Sequence, residues 1–391
     1  MIHTDKPLDL SVSSGFQPVQ IVTIKEKIQL YKGEEPANAI ELVLLEEFGF
    51  TLVSQKDLYQ VGDKAIFIEP DYNLPDNNPL FNSFTKPNGD PKKSKLGSHN
   101  RIRAIKFNLH QGDDQPVYSN GILLTYNEVF KYIPNSTHFD QLGVYKYEAP
   151  ERNQGGTGKS GASREFPVGL YKTDEVNFNK VNWTFPMPLI GSEKLDGSSI
   201  SILVKDGVGK ICSRNLEKPL KYFKKTGFDK SWKAWFWSLF GYDRATYTEI
   251  ESDSEFVKVG KPYLDKLVEY CNERKLSVAL RGELVGQGAS NGSGNKNNPH
   301  SKVEPTIYFY GADWFFSNAE RMTHLEYIEL VVALGFQHPT IVFNQVFESR
   351  EDLLKACENY FSNNMIEGIV VRSLDGKWSA KCMNLEYDAR K

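Results

Sequence analysis

The sequence predicts an α+β chain of two domains, a compact β-barrel in front and a mixed strand-and-helix domain behind. Three observations lead there. At 391 residues the chain is too long for one ordinary core. Its front third reads as a succession of short, largely apolar strands separated by turns. A stretch of altered composition, Asn153-Gln154-Gly155-Gly156-Thr157-Gly158-Lys159-Ser160-Gly161-Ala162-Ser163, then separates that third from the remainder and has the make-up of a flexible linker. The expected bounds are 1–147 for the barrel, 148–166 for the linker and 167–391 for the second domain.

Composition narrows the class. A formal charge of −3 argues against a protein that coats nucleic acid by charge alone, while leaving room for local basic patches. The four cysteines, Cys212, Cys271, Cys357 and Cys382, show no C-x-x-C spacing and the histidines are scattered. They read as reduced, buried thiols rather than a zinc site. No run is long or apolar enough to span a membrane, and Met1-Ile2-His3-Thr4-Asp5-Lys6 lacks the form of a signal peptide. A cytoplasmic monomer is expected.

In the front domain, Val19 to Ile24 alternates, Ile40 to Val53 is apolar with a break at Gly49, and Lys64 to Ile68 follows the turn Val61-Gly62-Asp63. The polar stretch from Asp71 to Asn100, rich in Pro, Asn and Lys, is expected to be a surface excursion. Arg101 to Phe107 then reads as a strand with Arg101 and Arg103 on one face and apolar residues on the other. Such a basic strand face on a small barrel suits nucleic-acid backbone contacts, although an ordinary solvated face has the same pattern. Within the linker, Gly158-Lys159-Ser160 matches the end of a Walker A loop, but no apolar strand precedes it and a phosphate cradle needs one. Beyond the linker, helices are expected at Phe228 to Phe240, Glu255 to Arg274 and Arg350 to Phe361.

The second domain centres on Glu193-Lys194-Leu195-Asp196-Gly197, between strand-like Pro188-Leu189-Ile190 and Ile200 to Val204. A corner between strands holds a lysine in a defined place, and an amine whose surroundings lower its pKa can act as a covalent nucleophile. Four later stretches carry matching chemistry. Ser213-Arg214-Asn215 offers a guanidinium fork for phosphate or ribose. Leu280 to Gly286 delivers Glu283 between glycines, Ile307 to Ala312 presents Tyr310 for base stacking, and Ile366 to Arg372 delivers Glu367. Lys381 comes last. Singly, each has a plain reading as core aromatic, edge carboxylate or turn lysine. As a set, Asp196, Glu283 and Glu367 are oxygen ligands for Mg²⁺ or its waters, and Lys194, Arg214 and Lys381 are donors to phosphate.

In order and spacing these stretches resemble motifs I, Ia, III, IIIa, IV and V of the covalent nucleotidyltransferases, the ATP-dependent DNA and RNA ligases and the capping enzymes. The resemblance covers about Pro167 to Lys391. Only ten residues follow Lys381, whereas DNA ligases and capping enzymes carry an OB domain there. A β-rich domain lies in front instead, with Tyr59 to Pro70 as its clearest segment, and this order is similar to nick-sealing RNA ligases with an N-terminal OB module, the RNA ligase 5 family. Two positions depart from the pattern. Motif V usually has a second lysine, where this chain has Ser379 or Met383, unless Lys377 supplies it, and Tyr310 replaces a phenylalanine.

The resemblance implies an N-terminal OB-type barrel and a C-terminal nucleotidyltransferase (ATP-grasp-like ligase) domain with antiparallel sheets and flanking helices. It implies an ATP-dependent RNA ligase that joins 3′-hydroxyl and 5′-phosphate ends through a lysyl-AMP at Lys194. Glu193, Arg214, Asn215, Tyr310 and Lys381 would bind the nucleotide. Asp196, Glu283 and Glu367 would hold Mg²⁺ or Mn²⁺, and Arg101 and Arg103 would meet RNA or an RNA-containing nicked duplex. A DNA ligase or capping-type enzyme, or a non-catalytic OB-type nucleic-acid binder, are the alternatives.

Overall fold

The computed structural model describes residues 18–112, 116–133, 138–146, 164–170, 175–233, 245–287 and 297–388. The fold is a mixture of α and β, with mostly antiparallel sheets and few helices. It divides into two units. One comprises Met1–Ala149, Val176–Phe185 and Cys382–Lys391, the other Pro150–Glu175 and Pro186–Lys381. Most of the expected linker, and the Walker-like Gly158-Lys159-Ser160, lie outside the described residues.

In the first unit a five-stranded sheet runs in the order Thr51–Gln55, Glu35–Leu45, Val19–Lys32, Lys64–Ile68, Ile122–Thr125. The long Val19–Lys32 strand pairs with Lys64–Ile68 through its first residues and with Glu35–Leu45 through the rest. Register shifts at Ile24/Glu26 and Gln29/Tyr31 bend it as bulges do. Lys64-Ala65-Ile66-Phe67-Ile68 is apolar without alternation because both its faces are covered. Ala65 and Phe67 pack with Val22, Phe50 and Leu52, while Ile66 and Ile68 pack with Val19, Leu74 and Phe81.

That second cluster corrects one expectation. The stretch from Asp71 to Asn100 is not simply a surface excursion, since it delivers Leu74 and, from a short helical turn, Leu80 and Phe81 into the core. Its polar majority shields a few anchors. The strand expected from Arg101 is also shorter, Ile105–Phe107. Ile102 and Ala104 are buried as the alternation requires, but Arg101 is tied to Asp71 at 2.6 Å, so that basic face is partly neutralised.

The second unit holds a seven-stranded sheet ordered Ala319–Arg321, Thr306–Phe315, Val278–Val285, Ser198–Lys205, Val208–Ser213, Leu216–Lys218, Arg164–Glu165. A further sheet places Met187–Lys194 between Ile341–Phe347 and Gly368–Ser373, with Ser379–Met383 beyond the latter. The helix Glu255–Arg274, at its expected bounds, lays Leu264, Leu267 and Cys271 on Ile200, Ile202 and Ile211 to form the main core. The helix Arg350–Asn363 also follows the expectation. Phe228 does not open a helix. It ends a strand, Lys221–Phe228, that among the described residues pairs only with Ala245–Glu251, and residues 234–240 lie outside the described set. All four cysteines are buried. Among the described residues no helix is long and apolar enough to cross a membrane.

Candidate active site

Lys194 is the last residue of its strand, and the chain then turns through Leu195-Asp196-Gly197 into Ser198–Lys205 of the other sheet. The corner therefore joins the two larger sheets of this unit. It can do so because Gly197 lies against the Glu283 strand, where a Cβ would strike the Leu284 carbonyl oxygen and come within 3.0 Å of Glu283 Cγ. Buried Asn298 donates its side-chain amide to the Asp196 carbonyl at 2.8 Å, which fixes the turn from the far side.

Two antiparallel registers bring the carboxylates in. Lys194 lies opposite Gly368, so Glu367, one residue earlier, reaches the end of the lysine strand, and Lys194 Nζ donates to its Oε2 at 2.7 Å. Ser199 lies opposite Glu283, just past the corner. Burial alone would lower the Lys194 pKa, but Glu367, Glu175 and Glu283 outweigh it and hold the ammonium above the ordinary lysine range. Burial pushes the Glu283 carboxyl up to about 8, with Glu367, Glu175 and Asp196 adding to the rise and Lys194 opposing it. Glu367 is raised as well, by burial first and then by Asp196, against the pull of Lys194 and Lys381. Asp196, Glu283, Glu367, Lys194 and Lys381 thus share one electrostatic neighbourhood, in which each either shifts or is shifted by another. Among the described residues no three His, Cys, Asp or Glu side chains are grouped to hold a metal ion directly. The crowded negative charge fits a cation held through its waters.

Tyr310 has a distinct origin. Arg281 pairs with Gly311 and Gly282 with Phe309, so Tyr310 is the extra residue of a β-bulge, a device that re-aims a side chain. It lines a small, partly open cavity together with Glu175, Arg281, Arg321, His324 and Arg372. The Arg372 guanidinium sits 5.6 Å from the Tyr310 ring centroid, close enough for a cation–π contact, and donates to Ser192 Oγ at 2.6 Å.

The remaining predicted residues are placed less centrally. Glu193 points away from Lys194, as strand alternation requires, and accepts the Tyr360 hydroxyl at 2.7 Å. Burial and that bond push the Tyr360 phenol up to about 12. Arg214 and Asn215 form the turn after Val208–Ser213, whose Ser213 pairs with Ile200. They stand at the same end of the sheet as the lysine corner but do not line the Tyr310 cavity. Ser379 lines that cavity, while Lys377 pairs with Asp375 on an exposed hairpin turn. Arg101 and Arg103 belong to the first unit.

Sequence reasoning missed Glu175, Arg372 and Tyr360. Arg372 had a signal, since it lies near the end of the strand that follows Glu367, Gly368–Ser373, on the face of Val370, which pairs with Ser192. Glu175 had none, as it stands in no motif and acts on Lys194, Glu283 and Arg372 only through tertiary placement.

A family model described as RNA ligase matches residues 187–384, half of the chain. The chain belongs to the RNA ligase family. The matched segment begins with the lysine strand and ends past Lys381, so it contains every strand of this ligase-family site. No curated protein matches the sequence. Among solved structures, a Lys-to-Met mutant of Naegleria gruberi RNA ligase with AMP and Mn is similar at TM-score 0.66 and 21% identity, covering 95% of this chain and 97% of that one. A Lys-to-Ala mutant of the same Naegleria ligase with ATP and Mn matches at TM-score 0.66 and 20% identity, covering 95% and 98%. The Naegleria ligase with PPi matches at TM-score 0.65 and 21% identity, covering 95% and 97%. At such identities the likeness establishes a shared fold.

Proposed function

We propose that this ligase-family chain joins RNA 3′-hydroxyl and 5′-phosphate ends at the expense of ATP. The observation that carries the reading is the Lys194 amine, held at a two-sheet corner by Glu367 and facing Glu283 and Glu175. In the first step Lys194 Nζ attacks the α-phosphorus of ATP. The N–P bond forms, the bond to pyrophosphate breaks, and Glu367 Oε2, which already accepts from Nζ, is placed to take the proton. The AMP then passes to an RNA 5′-phosphate, and a 3′-hydroxyl displaces it to form the phosphodiester. The Naegleria gruberi structures similar in fold carry ATP, AMP with Mn, and PPi, which are the substrate, transferred group and leaving group of the first step.

Asp196, Glu283 and Glu367 would hold a hydrated Mg²⁺ or Mn²⁺, which would supply charge stabilisation at the triphosphate and favour the neutral amine. Lys381 and Arg214 serve as phosphate and ribose donors, and Tyr310 offers a ring face to adenine. Glu193, with Asn215, completes the nucleotide contacts and is oriented by Tyr360. The five-stranded sheet of the first unit, with one long strand shared between two neighbours, supports an OB-type reading and a role in RNA contact.

The test is incubation with ATP labelled at the α-phosphate, without nucleic acid. An acid-labile, alkali-stable AMP adduct on Lys194, absent from Lys194→Ala, is expected. An adduct that persists in that variant, or maps to Lys159, refutes the assignment. Sealing of a 5′-phosphorylated nick with RNA at the 3′-hydroxyl side then tests the later steps.

A further inference from the structure

Lys221–Phe228 and Ala245–Glu251 form a two-stranded ribbon that, among the described residues, pairs with no other strand. Almost all of it is exposed: the outgoing strand has no buried residue, and neither has the return strand. A lone ribbon is marginal as a structure, and large exposed apolar groups on one mark an interaction surface. Phe223 is 70% exposed, Phe228 59% and Tyr247 54%.

The register shows that these rings share a face. Phe223 lies opposite Glu249 and Lys225 opposite Tyr247, so Phe223, Lys225 and Tyr247 point the same way. Phe228, three positions after Lys225, would point the other way in a regular strand. The register shift between Lys225 and Gly227 leaves Thr226 without a partner and turns Phe228 back onto the first face. The Lys225 ammonium accordingly sits 4.1 Å from the Phe228 ring centroid. Charge is divided along the ribbon. Glu249 and Glu251 stand at its base, where Glu249 pairs with Lys221 at 3.3 Å. Towards its tip come Lys224, Lys225, Lys230 and Lys233 against Asp229, with Trp232 72% exposed.

We infer that this ribbon is an RNA-binding arm of the ligase, taking unpaired nucleotides next to the end to be joined. The exposed rings stack on bases, and the tip lysines meet phosphates. Stacking is what selects RNA with unpaired nucleotides, because a paired base shows no free face to a ring. The inference rests on RNA being the substrate, and it adds a binding element outside the lysine corner and its carboxylates.

The experiment compares wild type with Phe223→Ser/Phe228→Ser/Tyr247→Ser and with Lys224→Gln/Lys225→Gln. It measures lysyl-AMP formation from ATP alone, then affinity for a 5′-phosphorylated oligoribonucleotide across a salt series. Both variants should form lysyl-AMP as wild type does, which also controls for folding. The aromatic variant should lose roughly tenfold or more in affinity for single-stranded RNA and far less for a blunt duplex. The lysine variant should lower the slope of log affinity against log salt by about 1.4. Should the triple variant not fold, Phe223→Ser alone carries the stacking test. Unchanged RNA affinity overturns the inference, as does equal loss on the blunt duplex, or a loss of self-association in place of RNA binding. A wild-type protein that forms lysyl-AMP but binds no RNA sinks the substrate reading itself.

Discussion

Lys194 Nζ donates to Glu367 Oε2 at 2.7 Å across 173 residues of sequence, in a register where Lys194 faces Gly368. The carboxylate nearest the amine is thus one that raises its pKa. Glu367→Gln removes that charge, so the Lys194 titration should fall by on the order of one unit. The measurement is the pH dependence of Lys194 acylation by an amine-selective reagent, read by mass spectrometry in the absence of ATP. An unchanged profile would mean that Glu175 and Glu283 hold the ammonium without Glu367.

Glu283 sets a pH dependence of stability. Its carboxyl rises from 4.5 to about 8 on folding, so between those values the folded chain binds more protons than the unfolded one. Stability from this group is full below about 4.5 and is lost as pH climbs through about 8. Glu283→Gln should therefore raise the melting temperature at pH 8 and change it little near pH 5. Thermal unfolding in metal-free buffer across that range checks the sign, and a melting temperature lowered at pH 8 would contradict it.

Gly197→Ala should disturb the lysine corner. The new Cβ falls on the Leu284 carbonyl oxygen and within 2.9 Å of Val285 Cγ1, so strand or corner must shift at a cost of about 1–3 kcal/mol. Adenylation should drop along with stability. Gly227→Ala, which meets only the Thr246 hydroxyl at 3.3 Å, is the control and should leave adenylation unchanged.

Arg281 and Asp313 make a buried ion pair, with Nη2 to Oδ1 at 3.1 Å and Asp313 wholly inaccessible. Asp313→Asn leaves the guanidinium buried without its countercharge, and about 3–5 kcal/mol should be lost. Replacing both partners, as Arg281→Met/Asp313→Leu, should restore much of it. Urea midpoints for the single and double variants decide between these outcomes.

Much of the site was legible because its signals are local. A strand of apolar residues ending in Lys194, a glycine immediately after Asp196, and carboxylates beside glycines are patterns spanning a few residues. The strand bounds around them agree closely with the structure. Where the reading went astray, distant packing decided. The polar stretch 71–100 hides Leu74, Leu80 and Phe81, whose burial depends on a groove supplied by Val19, Ile66 and Ile68. Arg101, read from the sequence as a phosphate contact, shares its guanidinium with Asp71, thirty residues away in sequence.

By itself the sequence pointed to a ligase-family protein organised around the Lys194 corner, since strand period, glycine corners and motif order are written in short windows. Tertiary structure alone decided the rest. Strand register set Glu367 against Lys194 and Arg372 against Ser192, and a bulge turned Tyr310 towards its cavity. Glu175 entered the field of the lysine with no motif to announce it. The reason is physical. A side chain's pKa and partners depend on charges within a few ångströms, and which residues come that close is fixed by pairing between strands far apart in the chain.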